Sequence, residues 1–165
     1  MNKSKTIATQ GILITLCLIL SYVETLIPFN FAIPGVKLGL SNIVVLFALY
    51  KLGINHAFFI NLIRILIISM LFSNPLTMIY SLAGGLLSFI AMVLTKKVKF
   101  LSPISVSVMG GIFHNVGQIA MASVVLFSNK IILYLPVLMI SGIVTGIITG
   151  FIGALILERI KNIWN

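Results

Sequence analysis

The sequence predicts an all-α, polytopic membrane protein: a six-helix transmembrane bundle forming one domain over residues 1–165. Three observations carry that prediction. Hydrophobic residues fill 60% of the chain and charged residues 8%, with a mean hydropathy of +1.23, which leaves too little polar surface to cover a soluble domain. The apolar stretches approach the ~20 residues that a helical crossing consumes, so the chain holds about six of them and no extramembrane domain. The eleven lysines and arginines stand singly or in one short cluster, mostly at the ends of these stretches. There they anchor and orient a bundle, so the net charge of +9 does not imply a nucleic-acid partner.

Breaks at Pro, Gly, Asn and Lys place the spans at 6–27, 40–50, 54–71, 76–95, 104–127 and 133–157. The first follows Lys3 and Lys5 like a signal peptide, yet it is too long and lacks a small-x-small cleavage site, so it is expected to be a retained span. Its residues Ser4, Ala8, Gly11 and Thr15 put small side chains on neighbouring turns, a face that either packs inside the bundle or docks another membrane protein. Cys17 is the only cysteine and lies in an apolar segment. It is expected to pack, since it has no partner for a disulfide or a multi-cysteine metal site.

The second span is short and follows Pro34-Gly35-Val36-Lys37-Leu38-Gly39-Leu40-Ser41-Asn42, a glycine-containing cationic segment that reads as a binding loop. Polar groups placed between hydrocarbon-like runs are costly without a partner, and a ligand is the expected one. The third span carries Asn61 and Arg64 on one face, and Ser73-Asn74-Pro75 makes a tight turn into the fourth. The fifth carries Gly110 and Gly111 one turn before His114, with Asn115 adjacent and Gln118 at i+4. The glycines permit close approach of a backbone or a ligand. In the sixth, Gly142, Gly146, Gly150 and Gly153 leave one face without side chains, a helix-packing surface. Tyr22, Tyr80 and Trp164 are expected at the membrane interfaces.

Six crossings put both termini on one side. If that side is the cytoplasm of a cell-membrane protein, it receives Lys3, Lys5, Lys51, Lys96, Lys97, Lys99, Arg159 and Lys161, against Lys37 and Lys130 outside. Rises of ~1.5 Å per residue from the inner ends put Arg64 about 20 Å, His114 about 16 Å, Gln118 about 22 Å and Glu24 about 28 Å up their helices. All lie at midplane or above, whereas His56 is the lone ionisable group within the inner half of the spans. The expected site is therefore an outward-opening chamber of Lys37, Ser41, Asn42, Asn61, Arg64, His114, Asn115 and Gln118, with no continuous polar path for a channel. The amino terminus of the second helix, Lys37 and Arg64 together favour an anionic or strongly polar headgroup.

Each residue also has a structural alternative. Arg64 can neutralise Glu24 or cap a carbonyl, Lys37 can snorkel to headgroups, and His114 can be a hydrogen-bonded core histidine. Asn61, Asn115 and Gln118 can serve as interhelical hydrogen bonds. No metal set is expected with one nearby acid, and no cofactor. No Gly-x-x-x-x-Gly-Lys-Ser/Thr nucleotide motif occurs.

The segments Pro34–Asn42, Asn61–Arg64, Tyr80-Ser81-Leu82-Ala83-Gly84-Gly85 and Gly110-Gly111-Ile112-Phe113-His114-Asn115-Val116-Gly117-Gln118 resemble the Gx transporter family, which also carries the name heptaprenyl diphosphate synthase component I. The resemblance covers nearly the whole chain. That family is similar to the substrate-binding S components of energy-coupling factor importers, six-helix proteins that capture a vitamin-like solute outside. The resemblance implies docking on a coupling transmembrane protein driven by ATPase subunits, through small residues of the first helix. Where those proteins commonly have Ala-x-x-x-Ala, this chain has Ala8 and Ile12, with Gly11 and Thr15 nearby. The synthase name meets a chemical objection, because prenyl transfer needs clustered Asp side chains to hold magnesium on a diphosphate and this chain has no Asp. The chain is thus expected not to be an enzyme, with a role as membrane accessory subunit of a polyprenyl diphosphate synthase as the second reading.

Overall fold

A computed structural model of the chain describes residues 3–27, 38–72 and 74–161. Its helices are α1 (Lys3–Leu26), α2 (Leu40–Lys51), α3 (Ile54–Phe72), α4 (Pro75–Lys96), α5 (Pro103–Val125) and α6 (Leu135–Lys161), with a 3-10 helix at Asn129–Tyr134 before the last. No strand occurs among the described residues, and the architecture is an all-α polytopic membrane bundle. Lys37 and Trp164 lie outside the described residues.

Among the described residues, five helices are long and apolar enough to cross a membrane, and α2 is a shorter apolar one. Its 12 residues rise only ~18 Å. The sixth span begins later than the hydropathy pattern places it. Pro136 has no N–H to give the carbonyl of Ile132, so regular α-helix starts at Leu135 and the preceding turn tightens to 3-10.

The short α2 is the centre of the bundle. Ser41, Ile43, Val44, Val45, Leu46, Ala48 and Leu49 are all buried, and α1, α3 and α6 pack around it. A helix apolar on every face belongs in an interior, and here its neighbours span the bilayer on its behalf. Its carboxyl end is closed by Lys96, whose Nζ donates to the Leu49 carbonyl at 2.6 Å and stands 4.8 Å above the Tyr50 ring. A cation there satisfies a terminal carbonyl and opposes the helix dipole.

Missing side chains set the closest helix contacts. A Cβ on Gly146 would stand 2.6 Å from Val108 Cα, one on Gly150 2.8 Å from Ile104 Cα, and one on Gly142 2.8 Å from the Gly111 carbonyl oxygen. The α6 backbone therefore lies directly on α5 over three turns, where Ser107 and Thr149 also share a hydrogen bond of 3.0 Å. Gly153 instead makes room for Leu46 of α2. The small residues of α1 behave differently. Ser4, Ala8, Gly11 and Thr15 are all exposed, and a Cβ on Gly11 would meet nothing within 4 Å. Of the two alternatives open from sequence, packing of this face inside the bundle is not what the fold uses.

Two adjacent glycines on α4 position the site. A Cβ on Gly85 would collide with Ile65 of α3, and one on Gly84 would stand 2.6 Å from the His114 carbonyl oxygen and 2.7 Å from Gln118 Cγ of α5. Their absence lets α3 and α5 both close on α4, which brings the polar faces of those two helices together. The start of α4 is fixed by Asn74, whose side chain accepts the Thr77 N–H at 2.8 Å, with Pro75 in the first turn.

Candidate functional site

A cavity of about 310 Å³ lies where the last turns of α1 and α3, the first turns of α2 and α4, and the middle of α5 meet. Ile27, Leu38, Ile65, Ile68 and Phe72 supply apolar wall, and although serine, threonine, amide and charged side chains are set into it, more of the wall's surface is apolar than polar. The cavity sits at the end of the bundle opposite the start of α1. At the other end, Gln10 Nε2 donates to His56 Nδ1 at 2.8 Å, joining α1 to α3.

Arg64 dominates the polar wall. Its side chain is 6% exposed yet reaches the cavity. Nε and Nη2 donate to Asn61 Oδ1 at 3.2 and 3.0 Å, Nη2 also donates to Asn42 Oδ1 at 2.6 Å, and Nη1 donates to Ser41 Oγ. The guanidinium has five N–H donors, so one hydrogen on Nη1 has no partner among the described residues. Asn61 is held in turn by its Nδ2, which donates to the Gly85 carbonyl at 3.2 Å. All three acceptors are neutral. They orient the cation and satisfy its donors without cancelling its charge.

Glu24 is the second charge on the cavity. Its Oε1 accepts the backbone N–H of Gly39 at 2.7 Å. Gly39 has φ +71°, a left-handed conformation that glycine adopts at little cost, and its carbonyl accepts the Asn42 N–H at 2.8 Å to begin α2. The carboxylate at the end of α1 and the guanidinium on α3 thus hold the first turn of α2 from two sides. Among the described residues they make no ion pair with each other.

Of the residues expected to form a site, Ser41, Asn42, Arg64, His114, Asn115 and Gln118 line this cavity. Asn61 is buried behind Arg64 and away from the cavity wall, and it positions the cation. Asn115 both lines the cavity and ties α5 to α6, its Nδ2 donating to the Leu138 carbonyl at 2.6 Å. Gly110 admits the Met92 and Ser88 side chains, whereas Gly111 admits the Gly142 backbone and also lines the cavity. Glu24, Gly39, Ser69 and Ser81 also line the cavity and were not among the expected residues. A signal for Glu24 was present, since it is the only acid inside an early span and shares a helix face with Cys17 and Ser21.

Residues 13–156 match the family described as heptaprenyl diphosphate synthase component I. The chain belongs to that family. No curated protein and no solved structure matches it. In this component I family member the only two carboxylates are Glu24, at the cavity, and Glu158, exposed near the end of α6. They stand at opposite ends of the bundle, so they do not form the paired-carboxylate site that magnesium on a diphosphate needs.

Proposed function

We propose that this family member is the solute-binding membrane subunit of an energy-coupling factor type importer. It takes a small polar solute, with an anionic or strongly polar group directed at Arg64, into the cavity between α1, α2, α3 and α5. The observation that carries this reading is the Arg64 guanidinium. It is buried at a cavity wall and hydrogen-bonded to neutral acceptors alone, with the Glu24 carboxylate on the same cavity but not in an ion pair with it. An ionisable group inside a membrane bundle is retained at a cost and marks a binding or transport role. The amino terminus of α2 adds partial positive charge at the same place. The excess of lysine and arginine at the opposite end supports a cell-membrane orientation with both termini cytoplasmic and the cavity outside. Solute release would then follow rearrangement driven by a coupling transmembrane protein and its ATPases, docked on the exposed face of Ser4, Ala8, Gly11 and Thr15.

The family's description favours a second reading, a membrane accessory subunit of a polyprenyl diphosphate synthase. That role calls for an apolar chamber open to lipid without charged groups on its wall, and the presence of both Arg64 and Glu24 on this one supports the solute reading instead. Purification from the host membrane with partners and retained small molecules separates the two. A coupling protein with ATPases and a polar solute are expected; a polyprenyl synthase without ATPases would overturn the proposal. Arg64→Ala and His114→Ala should each abolish solute-dependent thermal stabilisation while the bundle stays assembled.

A further inference from the structure

We propose that the solute is bipolar: it presents a carboxylate or phosphate to Arg64 and an ammonium or comparable N–H-bearing cation to Glu24. This rests on the reading of the cavity as a solute site and adds the solute's charge pattern. Both charged side chains line the same cavity, near enough to attract one another, yet they form no direct ion pair among the described residues. Arg64 spends four hydrogen bonds on Ser41, Asn42 and Asn61 and keeps one Nη1 hydrogen uncommitted. Glu24 spends Oε1 on the Gly39 N–H, and its Oε2 has no partner among the described residues.

Charge balance then selects the solute. A purely anionic molecule would gain at Arg64 but would share a poorly solvated chamber with the Glu24 carboxylate, and a purely cationic one would meet the reverse. A molecule carrying both signs satisfies both walls and leaves the chamber with the net charge it has when empty. Serine, threonine and amide groups line the same cavity as Ile65, Ile68 and Phe72, so the rest of such a molecule meets both hydrogen-bonding and apolar wall. The same two groups occur on free amino-carboxylates and amino-phosphates and on an ethanolamine phospholipid headgroup.

Matched fragments test this. The protein in uncharged maltoside micelles is heated with β-alanine, propionate or propylamine, and separately with phosphoethanolamine, inorganic phosphate or ethanolamine. The bipolar member of at least one series should raise the apparent melting temperature by more than its two half-molecules combined. Glu24→Gln is the decisive variant, because the glutamine carbonyl can still accept the Gly39 N–H and preserve the start of α2. It should weaken the bipolar compound at least ten-fold and leave the anionic half-molecule unchanged or improved. Phosphatidylethanolamine added to the micelles separates the sources: a response to it without a response to either soluble bipolar probe assigns the lipid headgroup, and the converse assigns a free solute. If phosphate or propionate alone matches its bipolar partner, or Glu24→Gln leaves the preference intact, the bipolar proposal fails while the solute-site reading stands. If no probe, lipid included, shifts the transition, both fail.

Discussion

Asn61→Ala tests whether the buried cation is held in the way its geometry implies. The side chain is 2% exposed. Its Oδ1 accepts from Arg64 Nε and Nη2, and its Nδ2 donates to the Gly85 carbonyl. Removing it leaves two charged donors without their acceptor, at about 1.5–3 kcal/mol per charged hydrogen bond, and takes the additional bond from the Gly85 carbonyl, at about 1 kcal/mol for a neutral one. The two charged bonds share one acceptor, so they are not fully additive, and a total of about 3–5 kcal/mol follows. For a chain of this size that corresponds to a fall of roughly 6–20 °C in apparent melting temperature. Cys17 supplies the assay: it is the only cysteine, free and 0% exposed, so a fluorogenic maleimide reports its release on unfolding. Asn61→Asp keeps an acceptor for Arg64 and sacrifices only the bond to Gly85, and it should melt well above Asn61→Ala. Equal melting of Asn61→Ala and the parent would refute the assignment of Asn61 as the group that holds Arg64.

Gly146→Ala forces a methyl against the Val108 backbone and should cost about 1–3 kcal/mol, whereas Gly11→Ala, with open space around it, should be neutral or stabilise by up to about 1 kcal/mol; melting of the two variants side by side checks the contrast. Lys96→Met removes the cation from the Leu49 carbonyl and the Tyr50 ring and should lower stability by about 1–2 kcal/mol, read as a few degrees in the same assay. In the folded protein Cys17 should label only through the open fraction of the bundle, so its labelling at a fixed reagent concentration should speed up in the variants that lower stability.

The helical membrane fold was legible because hydropathy and helix length report directly on the hydrocarbon layer. The central position of α2 was not. A helix apolar on every side has no periodicity to say which neighbours surround it, and its 12 residues read equally as an imperfect crossing. The exposure of Ser4, Ala8, Gly11 and Thr15 was illegible for a related reason: small residues suit a lipid-facing, a docking and a buried face alike. At the site, the pairing of Asn61 with Arg64 was readable from their i,i+3 spacing. The bond from Gly39 to Glu24 was not, because it joins a side chain to a backbone N–H fifteen residues away. The effect of Gly84 and Gly85 depends on two different neighbouring helices, which local sequence does not reveal.

A buried guanidinium is a poor device if stability alone is its purpose. Replacing a buried charged network with apolar side chains of similar volume is often neutral or stabilising by about 1–4 kcal/mol, whereas removing one member of the network is costly. The double variant Asn61→Leu with Arg64→Met should therefore recover the stability lost in Asn61→Ala and melt at or above the parent. Ser41 and Asn42 line the cavity, so water can replace the bonds they lose to Arg64. The same double variant should have no response to any solute that stabilises the parent. Together these outcomes would mean that Asn61 is needed because Arg64 is present, and that Arg64 is present for the cavity. A double variant that melts as low as Asn61→Ala would instead make the cation part of what assembles α2 and α3.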